Sequence, residues 1–441
     1  MFFRAAARPL LFIALLFFPL PTFLPAQNAG SSPSVQNADL QMVVMLTRHG
    51  VRSPLSNQAE IDKYSAAPWP KWEVPPGIQT EHGNQLIKLM GEWDRRLFAS
   101  EGLFSSTGCG DAAHVTIFAD TDQRTRETGR MLAEGMFPGC TIPVHAGPGG
   151  AGEPMFRATV AGIGRVNPQL AFAAVSGRIG GDANNLTEAY RPQLTALDRV
   201  LAGCGHGPAN PNRVSIFDIP SSLMPGGNDP PIVARGPLVT ASTLAENLLL
   251  EYTQGMSEAD TGWGCLDGAT LRSLMQLDTA RWDYAYRTPL IARAFASNLL
   301  DHILKTMQQN VSGKPVPGAI GNPGDRLVIL AGHDSNIVTV AGSLGINWVL
   351  DGRVDDTPPG GALLFELWRS RADGQRFVRV EYRAQTLEQM RKAEPLTPAN
   401  PPDVAPVFVP ACGRADGSCT WDGFATALRQ AIDPADVSPQ Y

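Results

Sequence analysis

Three apolar runs, each short enough to be a strand, empty into polar turns that concentrate the chain's histidine and arginine chemistry. Gln41–Leu46 leads through Thr47 into Arg48-His-Gly-Val-Arg-Ser-Pro54, Val115–Asp120 into Thr121-Asp-Gln-Arg-Thr-Arg126, and Arg326–Ala331 into Gly332-His-Asp-Ser-Asn336. Between and around them run segments with helical apolar spacing, Gly83–Leu97 and Arg124–Met136. Strands alternating with helices predict an α/β fold with a largely parallel sheet and covering helices. Open sheets of that kind gather ligands beyond the carboxyl ends of their strands, where all three turns lie.

The first turn places His49 between Arg48 and Arg52. Two guanidiniums beside an imidazole repel one another unless a compact anion sits among them, and a phosphate fits. The same cations lower the imidazole pKa and keep it neutral, as a nucleophile requires. Gly50 permits a sharp turn and Pro54 fixes its exit. The third turn adds His333 beside Asp334, a phosphate donor and a carboxylic acid within reach of one leaving group. These residues predict phosphoryl transfer through a histidine. Asp334 has a plainer reading as the cap of a helix starting at Ser335, and Arg126 competes with Arg124 for the inward position.

The combination resembles the histidine acid phosphatases, the branch that includes bacterial phytases and glucose-1-phosphatase. RHGVRSP at 48–54, ADTDQRTR at 119–126 and GHDSN at 332–336 carry the resemblance, and TPPGGALLFELW at 357–368 and QTLEQMR at 385–391 extend it. It implies a phosphoglycerate-mutase-like mixed sheet flanked by helices, with a smaller α-helical cap over the site. It also implies His49 as nucleophile and Asp334 as proton donor, a role that calls for a protonated acid and an acidic optimum. Arg48, Arg52, Arg124 and His333 would clamp the phosphate oxygens, with Asp120 and Ser335 in support; Asp120 and Asp122 would cap and orient the arginines. His82, His114, His145, His206 and His302 lie outside the motifs and are expected to be structural. A phosphoglycerate-mutase-type phosphotransferase and a non-catalytic ester-binding protein are the competing classes. Export disfavours the first, and retention of both His49 and Asp334 disfavours the second.

Residues 1–26 look like a signal peptide: Arg4 and Arg8 precede the apolar run Leu10–Phe18, and Ala26 offers a cleavage point. A retained anchor is the alternative. Residues 27–38 would be a disordered lead-in, 39–165 the first part of the α/β domain, 166–285 the helical cap and 286–441 the second α/β part. In the cap the clearest helices are Tyr190–Leu201, Pro237–Tyr252 and Thr270–Tyr286, with few strand signals; Pro289–Gln308 and strands at 327–331, 362–368 and 376–383 follow it. Loss of the leader takes the net charge from −6 to −8. An acidic chain without basic runs is a poor partner for nucleic acid or, once the leader is gone, for a membrane. The partner expected is a small phosphate ester; the oligomeric state is left open.

Six cysteines, an even number, suit an oxidising periplasmic or extracellular compartment. Cys412 and Cys419 bracket turn-forming residues, the family resemblance supports joining Cys109 to Cys140, and Cys204 with Cys265 remains. No cysteine or histidine spacing suggests zinc, and the arginines replace a divalent ion, so no metal or cofactor is expected. In the enterobacterial phytases, basic residues occupy the positions matching Ser56, Asp278 and Phe295, where this chain has none. Phytate bears six phosphates and calls for such cations. A broad or sugar-phosphate monoesterase is therefore expected ahead of a phytase.

Overall fold

Ala38–Arg48 alternates in its first residues, then runs apolar from Met42 to Leu46 and buried to its end, the mark of a strand covered on both faces. In the computed structural model, which describes Met1 and residues 37–147, 153–205 and 210–438, this strand lies inside the central sheet. Of the expected leader only Met1 is described, and the rest falls outside the described residues; of the expected lead-in only Asn37 and Ala38 are described, and Ala38 already belongs to the strand.

From the amino end come β1 (Ala38–Arg48), the short α1 (Gln58–Ile61), α2 (Glu81–Ser100), β2 (Val115–Ala119), α3 (Gln123–Met136) and β3 (Val144–Ala146). The middle is helical: α4 (Pro168–Arg178), α5 (Asn184–Ala189) and α6 (Arg191–Leu201), then α7 (Pro237–Thr253) and α8 (Gly268–Tyr286). Between α6 and α7 a hairpin of β4 (Ser222–Pro225) and β5 (Ile232–Arg235) adds two strands the apolar pattern did not announce. The α/β pattern resumes with α9 (Pro289–Ser312), β6 (Leu327–Gly332) and α10 (Asp334–Leu344). A tight hairpin follows, β7 (Val349–Leu350) with β8 (Arg353–Val354), and then the long pair β9 (Ala362–Ser370) and β10 (Arg376–Ala384). The chain closes with α11 (Leu387–Lys392), β11 (Asp403–Val407), β12 (Cys419–Thr420) and α12 (Trp421–Ala431).

The sheet runs β11-β10-β9-β1-β6-β2-β3, with β12 also paired to β10. β1, β6, β2 and β3 are parallel, whereas β9, β10 and β11 join antiparallel, so the sheet is mixed. Side chains alternate across β1. Met42, Val44 and Leu46 face α9, α10 and α12, while Val43 and Met45 face α2 and α3. Helices α6, α7 and α8 build an apolar cluster of their own, which also takes in Val51, Leu86, Ile291 and Leu387 from the sheet side.

Parallel register sets the site. Arg48 of β1 pairs with Gly332 of β6, and Ala119 of β2 pairs with Ala331, so three strands end side by side. The His49 amide donates to the Gly332 carbonyl at 3.0 Å and the Asp120 amide to that of Ala331 at 3.0 Å. His49, His333 and Asp120 are thereby the first residues past three adjacent strand ends.

Disulfides join Cys109 to Cys140 and Cys412 to Cys419. The expected third bridge is absent: Cys204 and Cys265 are free thiols. Cys265 donates to the Trp263 carbonyl at 3.8 Å, and burial together with the neighbouring Cys204 thiol pushes its pKa up to about 12. The thiolate needed for exchange is thus suppressed.

Candidate active site

The turn after β1 packs against side chains that leave no room for another at its centre. A Cβ on Gly50 would lie 2.8 Å from Ile87 and 2.9 Å from the Gln79 amide oxygen. The Gly50 amide donates to Gln79 at 3.0 Å and to Thr128 of α3 at 2.9 Å. From α2, Gly83 packs so closely that its Cβ would meet the Val51 carbonyl oxygen at 2.3 Å.

His49 is 2 % exposed. Its Nδ1 lies 2.9 Å from the Gly50 carbonyl, which can only accept, so Nδ1 carries the proton. Burial first, then Arg52, Arg48, His333 and Arg124, hold its pKa well below the usual histidine range. The ring is neutral and Nε2 keeps its lone pair. The sequence pointed to the cations; burial is the larger cause.

Arg48 donates to the Thr357 carbonyl at 2.6 Å and to Glu246 at 2.7 Å, and pairs with Asp334 at 3.0 Å. Arg52 reaches the same Glu246 oxygen at 2.9 Å. Arg124 pairs with Asp122 at 2.6 Å, while Arg126 is exposed, so α3 turns Arg124 inward. The Nε atoms of Arg48, Arg52 and Arg124 are all buried without a hydrogen-bond partner. Three guanidiniums gathered beside one imidazole leave positive charge that a compact anion would offset.

His333 sits 5.6 Å from His49, ring centre to ring centre, and its Nε2 lies 2.6 Å from Asp120. Burial would raise the Asp120 carboxyl, but the bonds from His333 and Arg157 hold it down at about 2. Helix α10 starts at Asp334 with His333 as its N-cap residue, so its positive end faces the site. The Ser335 amide donates to Asp334 at 2.8 Å.

Two expectations change here. Asp334 is ionised in the free site: burial would raise its pKa, but Arg48, His333 and Arg52 bring it below the ordinary value. Asp122 stands at the N-cap position of α3, yet its side chain makes no cap bond and turns to Arg124 and Arg157 instead.

Four contributors escaped the motifs. Glu246, from α7, bridges Arg48 and Arg52 while 23 % exposed. Arg157 donates to Asp120 at 2.7 Å, pairs with Asp122, and lies 3.4 Å from His333 Nε2. Gln79 and Thr128 brace the turn. None stands beside a telling neighbour; Arg157 lies in a stretch whose glycines and prolines mark only a boundary. Asp120, Asp122 and His333 approach one another closely enough to suit a metal ion, but the Arg157 guanidinium already spans all three.

His49, Arg52, Arg124, Arg157, His333 and Asp334 line one cavity of about 290 Å³. A lone-pair nitrogen, a cluster of guanidiniums and an acid within one cavity can displace an alcohol from phosphorus.

The family model of the histidine phosphatase superfamily (branch 2) matches residues 39–196 and 241–383. Phytase AppA of Escherichia coli (strain K12) is 32 % identical over 439 residues, 96 % of this chain and 98 % of that protein. Glucose-1-phosphatase of Salmonella typhimurium (strain LT2) is 28 % identical over 416 residues, 92 % of this chain and 95 % of its own length. The solved Hafnia alvei phytase in complex with tartrate superposes with a TM-score of 0.84 at 33 % identity, covering 92 % of this chain and all of that one.

Proposed function

The chain belongs to branch 2 of the histidine phosphatase superfamily and is a phosphoric monoester hydrolase, and from that premise we propose how its residues divide the reaction. His49 Nε2 attacks phosphorus, forming the P–N bond as the ester P–O bond breaks. Asp334, ionised in the free site, takes a proton from the phosphate monoanion and gives it to the departing oxygen, so the alcohol leaves neutral. Water then attacks the phosphohistidine, Asp334 takes the water's proton, and phosphate leaves with His49 neutral again. Dividing one hard displacement in two is the gain from the covalent step.

Arg48, Arg52, Arg124 and His333 hold the equatorial oxygens, where charge is carried throughout. Arg157 keeps Asp120 and Asp122 neutralised, so those carboxylates do not repel the phosphate. The observation that carries this reading is a buried, neutral His49 whose Nε2 keeps its lone pair among the charges of Arg52, Arg48 and Arg124. We infer that the reaction needs no divalent metal.

For the ester itself we propose a sugar phosphate or a broad range of small monoesters. Ser56, Asp278 and Phe295 carry no cation, of the three only Phe295 lines the cavity, and a volume of about 290 Å³ is at the small end for a ligand pocket. The second reading is a phytase, favoured by the higher identity to the phytases than to the glucose-1-phosphatase. Phosphate release from glucose-1-phosphate and from phytate at pH about 5, side by side with a chelator and a His49→Ala control, decides. Faster turnover of the sugar ester is expected. A strong preference for phytate would reverse the choice, and an equally active control would remove the histidine mechanism.

Export to the periplasm or beyond the cell is part of this proposal. It is supported by two disulfides among the described residues. No described helix is long and apolar enough to cross a membrane.

A further inference from the structure

Helix α8 carries Asp278, Trp282 and Tyr286 four residues apart, a spacing that stacks them along one face. Tyr286 packs against Trp282 at 4.9 Å and meets Phe295 of α9 edge-on at 5.6 Å. The Trp282 indole N–H donates to Asp278 at 3.2 Å, and Ser242 donates to the other oxygen of Asp278 at 2.7 Å. The indole's polar edge is therefore satisfied inside the protein. All three rings are partly exposed, and all three line the cavity that holds His49 and Asp334. Asp229, in the loop between β4 and β5, lines the same cavity and accepts from Thr159 at 2.7 Å.

We propose that Trp282, Tyr286 and Phe295 form a stacking subsite for a pyranose ring on the leaving side of the phosphate, with Asp229 accepting hydrogen bonds from its hydroxyls. This rests on the reading of His49 as nucleophile and deepens it from phosphate monoesters to hexose phosphates. An aromatic wall offers a rigid apolar surface to the C–H face of such a ring, and its edge is the ordinary place for a few polar groups that fix orientation. A carboxylate accepts from hydroxyls and repels a second phosphate, so Asp229 also disfavours highly phosphorylated esters. These residues determine selectivity; the bond-breaking groups lie elsewhere.

The test is the ratio of kcat/KM for glucose-1-phosphate to that for glycerol 2-phosphate, which offers the same phosphate without a ring. Trp282→Leu keeps apolar bulk but removes the ring face, and Asp229→Asn removes the charge. Each should lower the ratio by about tenfold, while Trp282→Phe should hold it near the wild-type value. A purely structural role for Trp282 would lower both esters together and leave the ratio unmoved, which would overturn the proposal. So would a ratio that falls only for Trp282→Leu and not for Asp229→Asn, which points to flat aryl esters instead. Failure of the wild-type protein to cleave either ester is a separate result, and it would remove the hydrolase reading beneath the proposal.

Discussion

In the proposed cycle Asp334 begins as a carboxylate held down by Arg48, His333 and Arg52, yet the first step needs its proton. That proton must arrive with the substrate. A phosphate monoester loses its second proton near pH about 6, so the monoanion that can supply it prevails only below that value. With an alkyl phosphate, kcat/KM should therefore fall as pH rises past about 6, and a pH–rate profile checks this. Asp334→Asn should lower kcat by roughly 10²–10⁴ for an alkyl ester. The loss should be much smaller for p-nitrophenyl phosphate, whose leaving group needs little protonation. Equal losses on both esters would mean Asp334 serves the arginines and not the leaving oxygen.

At the scale of elements, the site depends on helices that press against the turn after β1. α7 brings Glu246 between Arg48 and Arg52, so on the proposed mechanism it competes with the substrate phosphate for both guanidiniums. Glu246→Gln should tighten competitive inhibition by inorganic phosphate several-fold, read as a lower Ki. α2 approaches the turn through Gly83, so Gly83→Ala forces the helix away from Val51. Overpacking of this kind costs about 1–3 kcal/mol, measurable by urea unfolding, and should lower kcat as well. The strand ends and their polar turns were legible because apolar runs that stop at His49, Asp120 and His333 have few other readings. The hairpin β4–β5 was not, since its four-residue strands are only partly buried and carry no strong alternation. α4 announces itself only through Asn167 and Pro168, a cap and a first turn, because just Ala171 and Val175 of its residues are buried. Glu246 and Arg157 reach the site from segments distant in sequence, and no local pattern distinguishes them from surface charges.

Across the whole molecule, several buried carboxyls weigh toward stability in acid. Asp94, Glu101, Glu366 and Glu381 gather around Arg383, more carboxyls than that one guanidinium can neutralise. Burial pushes Asp94 up to about 6, Glu101 to about 7, Glu251 to about 8 and Asp278 to about 7, and raises Glu366. Between the ordinary carboxyl range and these values the native protein holds protons that the unfolded chain releases. Their stabilisation is complete below pH about 4 and is lost as pH rises through 6 to 8. Asp120 and Asp334 act in the opposite sense, losing their contribution only as pH falls below the ordinary carboxyl range. The melting temperature should accordingly be several degrees higher at pH 5 than at pH 7.5, as a calorimetric scan would register; a higher value at 7.5 would contradict the burial of these acids.

The strand order sets a timetable as well as a geometry. β1 is the first element of the described fold, yet both its neighbours, β6 and β9, lie beyond residue 326. A chain delivered from its amino end must carry an eleven-residue, largely apolar strand without its partners until β6, ending at Gly332, has emerged. Until then His49 has no His333 beside it. The unfinished polypeptide therefore carries an unpaired apolar strand and half a site, and on the proposed mechanism it stays inert toward phosphate esters.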